Sequence, residues 1–451
     1  TRNWGYDGVF PFAVQNSYGG PASLQHLINT CHQHGLAVIL DVVYNHFGPE
    51  GNNAEKFGSY LTEKYKTPWG GAVNFDDAEC DAVREYFIEN VLMWFRDFHV
   101  DALRLDAVHA IKDFSPVHIL KEIRQYVDTL MSLTGRLHYL IVECDLNDTR
   151  FIEKTEEGGY GMHAQWIDEF HHALRVTSGQ EPTGYYSDFN GINHLAKSFK
   201  DAYVYDGIYS CHRKKTFGTK TDNIPDDKFI VFSQNHDQVG NRMLGERSSI
   251  LISFDLQKVL AASVLMSPYL PLLFMGEEYG ERNPFLYFTD FSSEELIESV
   301  RKGRKKEFAD FHIDGEMPDP QAITSFEKSK LNWNLLNKRK HFILLGYYNQ
   351  LIKYRKSRAN IDRRTVVIKA FEDQKVLMLR LTFRKFAEVY FFNFSHKEQI
   401  KEIEFTKNKY EVIFNSDDAK WLGSAAAIQR SKPQQVIIPP ESFLVLRFSN
   451  V

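Results

Sequence analysis

Short apolar runs that end in polar residues recur along the chain. Most follow an amphipathic stretch. "LAVILDVVYNH" (36–46) follows "ASLQHLINTCHQHG". "DALRLDAVHA" (101–110) follows "AVREYFIENVLMWFRDF", and "LHYLIVECD" (137–145) follows "VHILKEIRQYVDTLMSL". "HAQWIDEF" (163–170) is a weaker case of the same pattern. "KFIVFSQNHDQ" (228–238) and "LPLLFMGEEYG" (270–280) complete it. Strands alternating with helical patterns predict βαβ units and a parallel sheet. The polar residues gather at the C-terminal end of each run, where sites sit in (β/α)8 barrels and open α/β sheets.

Six strands are expected from these runs. If they belong to a barrel, two more lie upstream. The chain opens in mid-motif with "TRNWGYDGVF", on Thr rather than Met, so an N-terminal truncation is expected. The fold class expected is α/β: a (β/α)8 TIM barrel over residues 1–361, followed by an all-β sandwich over 362–451. The second assignment rests on "TVVIKAF", "KVLMLRLTF", "AEVYFFNF", "KYEVIF" and "QQVIIPPESFLVLRF". These alternate with turn residues and have no helical pattern between them. Residues 291–340 read as a polar, solvated excursion, with "VRKGRKKEF" a charged helix face.

Within "DALRLDAVHA", Leu103 and Leu105 fall on one face of a strand, and Arg104 and Asp106 on the other. Burying an acid without a partner is costly, so that face is expected to carry chemistry. Glu143 and Asp237 stand at two further strand ends. Asp41 sits beside Asn45 and His46 in "ILDVVYNH". Several carboxylates facing one barrel mouth fit glycoside hydrolysis, in which one carboxylate attacks and another donates and then accepts a proton. Arg104 would hold Asp106 ionised. Glu143, between Val142 and Cys144, lies in the less polar setting suited to the acid. His46 and His236 are candidate donors to sugar hydroxyls.

The remaining numbers exclude other classes. Net charge is -5 with signs mixed along the chain, which argues against nucleic-acid and anionic-membrane partners. No apolar run is long enough to span a bilayer, and no signal peptide is seen. The 4 cysteines, Cys31, Cys80, Cys144 and Cys211, fit neither a disulfide framework nor a zinc spacing and point to a cytoplasmic chain. Asp41, His46, Asp106 and His236 are metal-type residues, but no metal motif appears and Arg104 would repel a cation, so no metal or cofactor is expected. Neither a G-x-S-x-G elbow nor a Walker or G-x-G-x-x-G loop is present.

"DVVYNH" (41–46), "LRLDAVH" (103–109), "VECD" (142–145) and "QNHDQVGNR" (234–242) resemble, in order and spacing, the four signature regions of the α-amylase superfamily of glycoside hydrolases. The resemblance implies a retaining mechanism. Asp106 would be the nucleophile, Glu143 the general acid/base and Asp237 the transition-state carboxylate. Arg104, His46, His236 and Tyr6 would contact substrate, with Asp41 and Asn45 bracing the site. "RNWGYDGVFPFAVQNSYGGP" (2–21) and "YNHFGPEGN" (44–52) resemble both malto-oligosyltrehalose trehalohydrolases and glycogen branching enzymes. "LNDTR" (146–150), "HAQWIDEFHHAL" (163–174), "PFLYFTDF" (284–291) and "RKGRKKEF…PDPQ…TSFEKSKLNW" (301–333) favour the first. That resemblance implies cleavage of the α-1,4 bond next to a terminal trehalose, with maltooligosyl-trehalose as substrate and a maltooligosyl-trehalose synthase as pathway partner. Branching or α-amylase-type activity is the alternative. Trp166 would offer a ring to trehalose, and Asp168 and Glu169 hydroxyl acceptors. The competing reading puts Trp166 and Phe170, four apart, in the core. Cys144 replaces the family's usual serine and points away from the cleft by strand parity.

Overall fold

The computed structural model describes residues 2–67, 70–309, 317–358, 361–402, 410–424 and 435–449. They form two compact units, Thr1–Trp166 with Phe288–Ser299, and Ile167–Tyr287 with Val300–Val451.

In the first unit, helix α1 (Gly20–Gln33) leads into strand β1 (Ile39–Val42). A hairpin follows, β2 (Leu61–Thr67) with β3 (Gly70–Val73). Then come α2 (Cys80–Arg96), β4 (Ala102–Leu105), α3 (Ile119–Thr134), β5 (Tyr139–Glu143) and β6 (Ala164–Trp166). Strands β1, β4, β5 and β6 pair in parallel in that order. Parallel strands need covered faces, and the sequence supplies the cover. Val83, Phe87, Val91 and Phe95 recur at the helical period on α2 and are buried, as are Ile119, Ile123 and Val127 on α3. On β4 and β5, Leu103, Leu105, Leu140 and Val142 fill one face and are almost inaccessible. Gly135, at φ +69, ends α3 in the left-handed conformation that favours glycine, its N–H reaching Met131 O.

The connections carry structure that the strand pattern did not predict. The β1–α2 segment holds the β2/β3 hairpin. Between β5 and β6 there are only short turns, 149–151 and 155–157, in place of a helix.

The second unit runs through α4 (Asp168–Thr177), α5 (Ile192–Asp201) and the hairpin β7 (Ile208–Ser210) with β8 (Lys215–Phe217). Next come β9 (Phe229–Val231), α6 (His236–Gly240), α7 (Ser248–Leu251), α8 (Phe254–Leu265) and β10 (Leu270–Pro271). β9 and β10 are parallel. Helices α9 (Glu294–Ala309), α10 (Ile323–Lys328) and α11 (Arg339–Ser357) follow. The expected polar excursion is therefore partly helical, and residues 310–316 lie outside the described set.

After α11 the strands become antiparallel: β11 (Val367–Phe371), β12 (Val376–Thr382), β13 (Phe386–Asn393), β14 (Gln399–Glu402), β15 (Tyr410–Asn415), β16 (Gln435–Ile438) and β17 (Ser442–Ser449). One sheet has the order β11-β12-β13-β17-β15, and β14 pairs with β16. Val389, Phe391, Leu444 and Leu446 from the first pack with Val436 and Ile438 from the second. This is a two-layer core of alternating inward residues. Helix α8 is tied to this region by Lys258, whose ammonium donates to Ser416 O (2.7 Å) and Trp421 O (3.1 Å). Among the described residues, no helix is long and apolar enough to cross a membrane.

Candidate active site

Strand register explains how the acids of the first unit meet. Asp41 pairs with Arg104, Arg104 with Ile141, and Ile141 with Ala164, so these four stand in one row across the sheet. Residues two further along share the same face. That second row contains Asp106, Glu143 and Trp166, with Glu143 and Trp166 directly paired. The Asp106 N–H still donates to Val42 O (2.9 Å), so the ladder holds Asp106 just past the end of β4.

Arg104 is the centre of this arrangement. Its side chain is 3% exposed. Nη1 donates to Asp41 Oδ1 (2.9 Å) and Oδ2 (3.0 Å) and to Asp106 Oδ1 (2.8 Å). Nη2 lies 3.6 Å from Glu143 Oε2. The Trp166 ring centroid is 4.5 Å from the guanidinium carbon, so one face of the indole is covered by a cation. Burial opposes the charge on Arg104. The surrounding Asp41, Tyr6, Asp106 and Glu143 outweigh it and lift the guanidinium further above its ordinary value. Asp41 is raised by burial, against the pull of Arg104 and a hydrogen bond from Tyr6 Oη (2.8 Å).

The other groups are fixed in turn. Asn45 Nδ2 donates to Asp106 O (2.9 Å) and Oδ2 (3.1 Å). Its Oδ1 therefore faces His46 Nδ1 at 2.5 Å, which makes Nδ1 the protonated ring nitrogen. Burial lowers His46 below its ordinary value despite Asp106, so the ring is neutral near pH 7. Glu143 Oε2 accepts from the Ala107 N–H at 2.6 Å. Ala107 presents that N–H from φ +40, a left-handed conformation costly for a residue with a Cβ. Cys144 is buried on the face opposite Glu143.

The second unit carries the remaining candidates. His236 and Asp237 open α6, with His236 Nε2 3.4 Å from Asp237 Oδ2. Asn235 caps this helix, its Oδ1 accepting from Gln238 N (2.8 Å). Asp168, at the start of α4, accepts from Gln238 Nε2 (3.0 Å). Gln238 Oε1 accepts from Tyr186 Oη (3.1 Å), and Tyr186 Oη is 3.1 Å from Tyr185 Oη. This polar chain leads to a cavity of about 310 Å³ lined by Tyr185, Tyr186, Gln238, Arg175, Arg242 and Glu246 among others. Arg175 lies over the Tyr186 ring at 4.2 Å.

Two sequence-based expectations change here. Glu169 is 5% exposed, and its Oε2 accepts from the N–H groups of Val204 (2.5 Å) and Tyr205 (3.1 Å). Its carboxylate braces a backbone turn and is not open to a sugar hydroxyl. Trp166 ends a strand and is half-buried, so it does not share a helical stripe with Phe170, which is fully buried on α4. The structure brings Asp41, Asn45, His46, Arg104, Asp106, Glu143, Trp166 and Tyr6 together in the first unit. It links Asp168 to the α6 turn in the second. Gln238, Tyr185, Tyr186 and Ala107 were not singled out beforehand. Gln238 lies inside "QNHDQ", next to Asp237, which was the available signal. Among the described residues, no group of three or more His, Cys, Asp or Glu is placed to hold a metal ion.

Parallel strands joined by helices, with antiparallel sheets after them, place the chain in the TIM-barrel class with a C-terminal all-β region. The chain matches the model of the alpha-amylase catalytic domain over residues 1–69. A crystal structure of a Salmonella typhimurium protein assigned as an alpha amylase is 34% identical. It superposes with a TM-score of 0.86, over 99% of this chain and 74% of that one. The chain belongs to the alpha-amylase family. A malto-oligosyltrehalose trehalohydrolase of Saccharolobus solfataricus is 50% identical over 355 residues, 79% of this chain and 60% of that protein. A 1,4-alpha-glucan branching enzyme of Bacillus cereus is 26% identical over 76% of this chain and 50% of that protein. The chain spans about three-fifths of the length of the trehalohydrolases it matches, 60% and 62% for the first two.

Proposed function

We propose that this chain carries the catalytic region of a retaining glycoside hydrolase that cuts the α-1,4 bond next to the terminal trehalose of maltooligosyl-trehalose. The observation that carries the hydrolase reading is the guanidinium of Arg104, shared between Asp41 and Asp106 with Glu143 alongside. Arg104 Nη1 (2.8 Å) and Asn45 Nδ2 (3.1 Å) fix the two oxygens of Asp106 in the row that also carries Glu143, the placement a nucleophile needs.

In this reading Asp106 attacks the anomeric carbon and Glu143 protonates the leaving oxygen. The glycosyl–Asp106 ester is then opened by water, with Glu143 taking its proton. Asp237 supports the oxocarbenium-like transition state, and Arg104, His46, His236 and Tyr6 line the cleavage subsite. Asn45 and Asp41 hold the nucleophile and its arginine. No step calls for a metal or cofactor.

The trehalose assignment is supported by the 50% identity to a trehalohydrolase against 26% to a branching enzyme. It is further supported by the cavity beside Tyr185 and Tyr186, joined to Asp168 through Gln238. Trp166, through its face away from Arg104, and Asp168 serve the leaving disaccharide. The substrate is an α-glucan capped by trehalose, and its supplier is a maltooligosyl-trehalose synthase. The workplace is the cytoplasm, consistent with four cysteines that form no disulfide. The test is to incubate the full-length protein with maltotriosyl-trehalose and with maltopentaose and to separate the products. Trehalose from the first and little cleavage of the second support the assignment. Chain transfer or equal cleavage of both overturns it in favour of a branching or α-amylase-type enzyme.

A further inference from the structure

Phe114 is 79% exposed, yet its backbone is tied down on both sides. Its N–H donates to Asp76 Oδ2 (2.9 Å). The same oxygen accepts from Tyr65 Oη (2.7 Å), and Lys64 Nζ lies 3.2 Å from Asp76 Oδ1. The Asp76 side chain is only 4% exposed. Burial works against its charge, but the Tyr65 hydroxyl, the Phe114 N–H and the Lys64 ammonium hold it below its ordinary value. On the other side, Asp113 accepts from Ser115 N (2.9 Å), Ile119 N (2.5 Å) and Arg84 Nη1 (2.9 Å). The Phe114 and Tyr65 rings sit 6.0 Å apart at 37°.

These bonds hold the backbone on both sides of a residue that displays an apolar ring to water. What sets Phe114 apart is its company: its N–H is tied to Asp76, and a second ring, Tyr65, stands 6.0 Å away on the same carboxylate, so two aromatic faces are held side by side at the surface. Phe114 is on the β4–α3 connection, which begins with Asp106. Tyr65 is on the hairpin of the β1–α2 connection. Both connections leave the C-terminal ends of parallel strands, the edge that carries Asp106 and Glu143. A pyranose ring has an apolar C–H face that lies flat on an aromatic ring, and Lys64 beside it can donate to hydroxyls.

We propose that Phe114 and Tyr65 form a platform for a glucose residue of an α-1,4-glucan chain, separate from the bond that is cut. The inference rests on the α-glucan part of the proposed function and does not need its trehalose part. A chain long enough to reach the platform is held more tightly, and the chemical step is unchanged.

The test uses native gel electrophoresis of the full-length protein in gels containing soluble starch, on an E143Q background to stop digestion. Retardation that drops about three- to tenfold in apparent affinity with F114A, is kept in F114W, and is unchanged in L137A is the expected result, the size of one aromatic contact. Leu137 is equally apolar and 70% exposed, but precedes β5 at the opposite end of the strand. In the active protein, F114A raises KM for long maltooligosyl-trehaloses by the same factor, leaves kcat within about twofold, and leaves the shortest substrate untouched. Unchanged retardation in F114A, or equal losses in F114A and L137A, overturns the platform. Starch retardation that depends on Phe114 in a protein releasing no trehalose overturns only the trehalose reading. Trehalose release with F114A indistinguishable from wild type overturns only the platform.

Discussion

Arg104 binds Asp41 and Asp106 through a single nitrogen, Nη1, at 2.9 and 2.8 Å. The two acids stand on neighbouring strands, and the β1–β4 register puts Asp41 directly beside Arg104. Removing the guanidinium leaves Asp41, Asp106 and Glu143 facing one another without a counter-charge. R104A is therefore expected to lose activity and about 3 kcal/mol of stability, at the low end for a broken buried pair because the acids keep some contact with water. R104K restores the charge but not the planar fork, and should recover stability more than activity. Urea denaturation and rate measurements on both variants check this. Equal stability of R104A and wild type contradicts it.

Asp106 can lose its charge at lower cost. Arg104 keeps Asp41 as a partner, and an asparagine still accepts from Arg104 or Asn45. D106N is expected to fold with a melting temperature within about 1 °C of wild type, equivalent to about 1 kcal/mol in a chain of 451 residues. Its kcat should fall by about ten-thousandfold, as for loss of a nucleophile. A D106N protein with measurable wild-type-like turnover removes Asp106 from the nucleophile's role.

Glu277 gives the pH dependence. It is 5% exposed and accepts from Phe274 N (3.1 Å), with Tyr348 Oη at 3.3 Å from its other oxygen. Burial pushes it up to about 8 from an ordinary 4.5. Between those values the unfolded chain ionises while the folded one stays protonated. The unfolded state then binds fewer protons, and stability falls as pH rises from about 4.5 to about 8. E277Q removes this contribution. It should be more stable than wild type at pH 9, with the advantage shrinking toward pH 5. Denaturant midpoints at pH 5, 7 and 9 read the difference, and a pH-independent difference contradicts it.

Much of this site is written in period-two alternation. Arg104 and Asp106 share a face because Leu103 and Leu105 take the other, and Glu143 follows from Leu140 and Val142 in the same way. What the alternation does not carry is contact between distant segments. Glu169 looks like an exposed acid at a helix start, but its partners at 204 and 205 lie 35 and 36 residues on. Asp168 and Gln238 are 70 residues apart. Trp166 ends a three-residue strand, too short for periodicity to separate it from the helix that begins at Asp168. The left-handed Ala107 has no compositional mark at all, since nothing about alanine predicts φ +40.

Gln238 is the next residue to change. It is 9% exposed and joins Asp168 to Tyr186. Q238L leaves both without that partner beside the cavity. If the cavity takes the leaving disaccharide, Q238L should weaken product inhibition by trehalose about tenfold, the cost of one buried hydrogen bond to a charged group. Trehalose inhibition constants measure it directly, and an unchanged constant separates the cavity from trehalose.

Gly48 packs directly on the backbone of residues 7 and 8. Gly48 N–H donates to Gly8 O (3.0 Å), and a Cβ added at Gly48 would stand 2.0 Å from Asp7 O and 2.5 Å from Asp7 C. These are backbone atoms, so they cannot swing aside as a flexible side chain would. Tyr6, next to Asp7, donates to Asp41 Oδ2 at 2.8 Å, and Asp41 is the second carboxylate on Arg104. G48A must push residues 6–8 outward and take Tyr6 from Asp41. It is expected to cost about 1–3 kcal/mol, as overpacking does, and to lower kcat/KM more than Y6F, which removes one hydroxyl and leaves the backbone in place. Rates and denaturation curves for G48A and Y6F settle the order. A G48A protein as active as Y6F or more so shows that the close approach of the two loops does not position Tyr6.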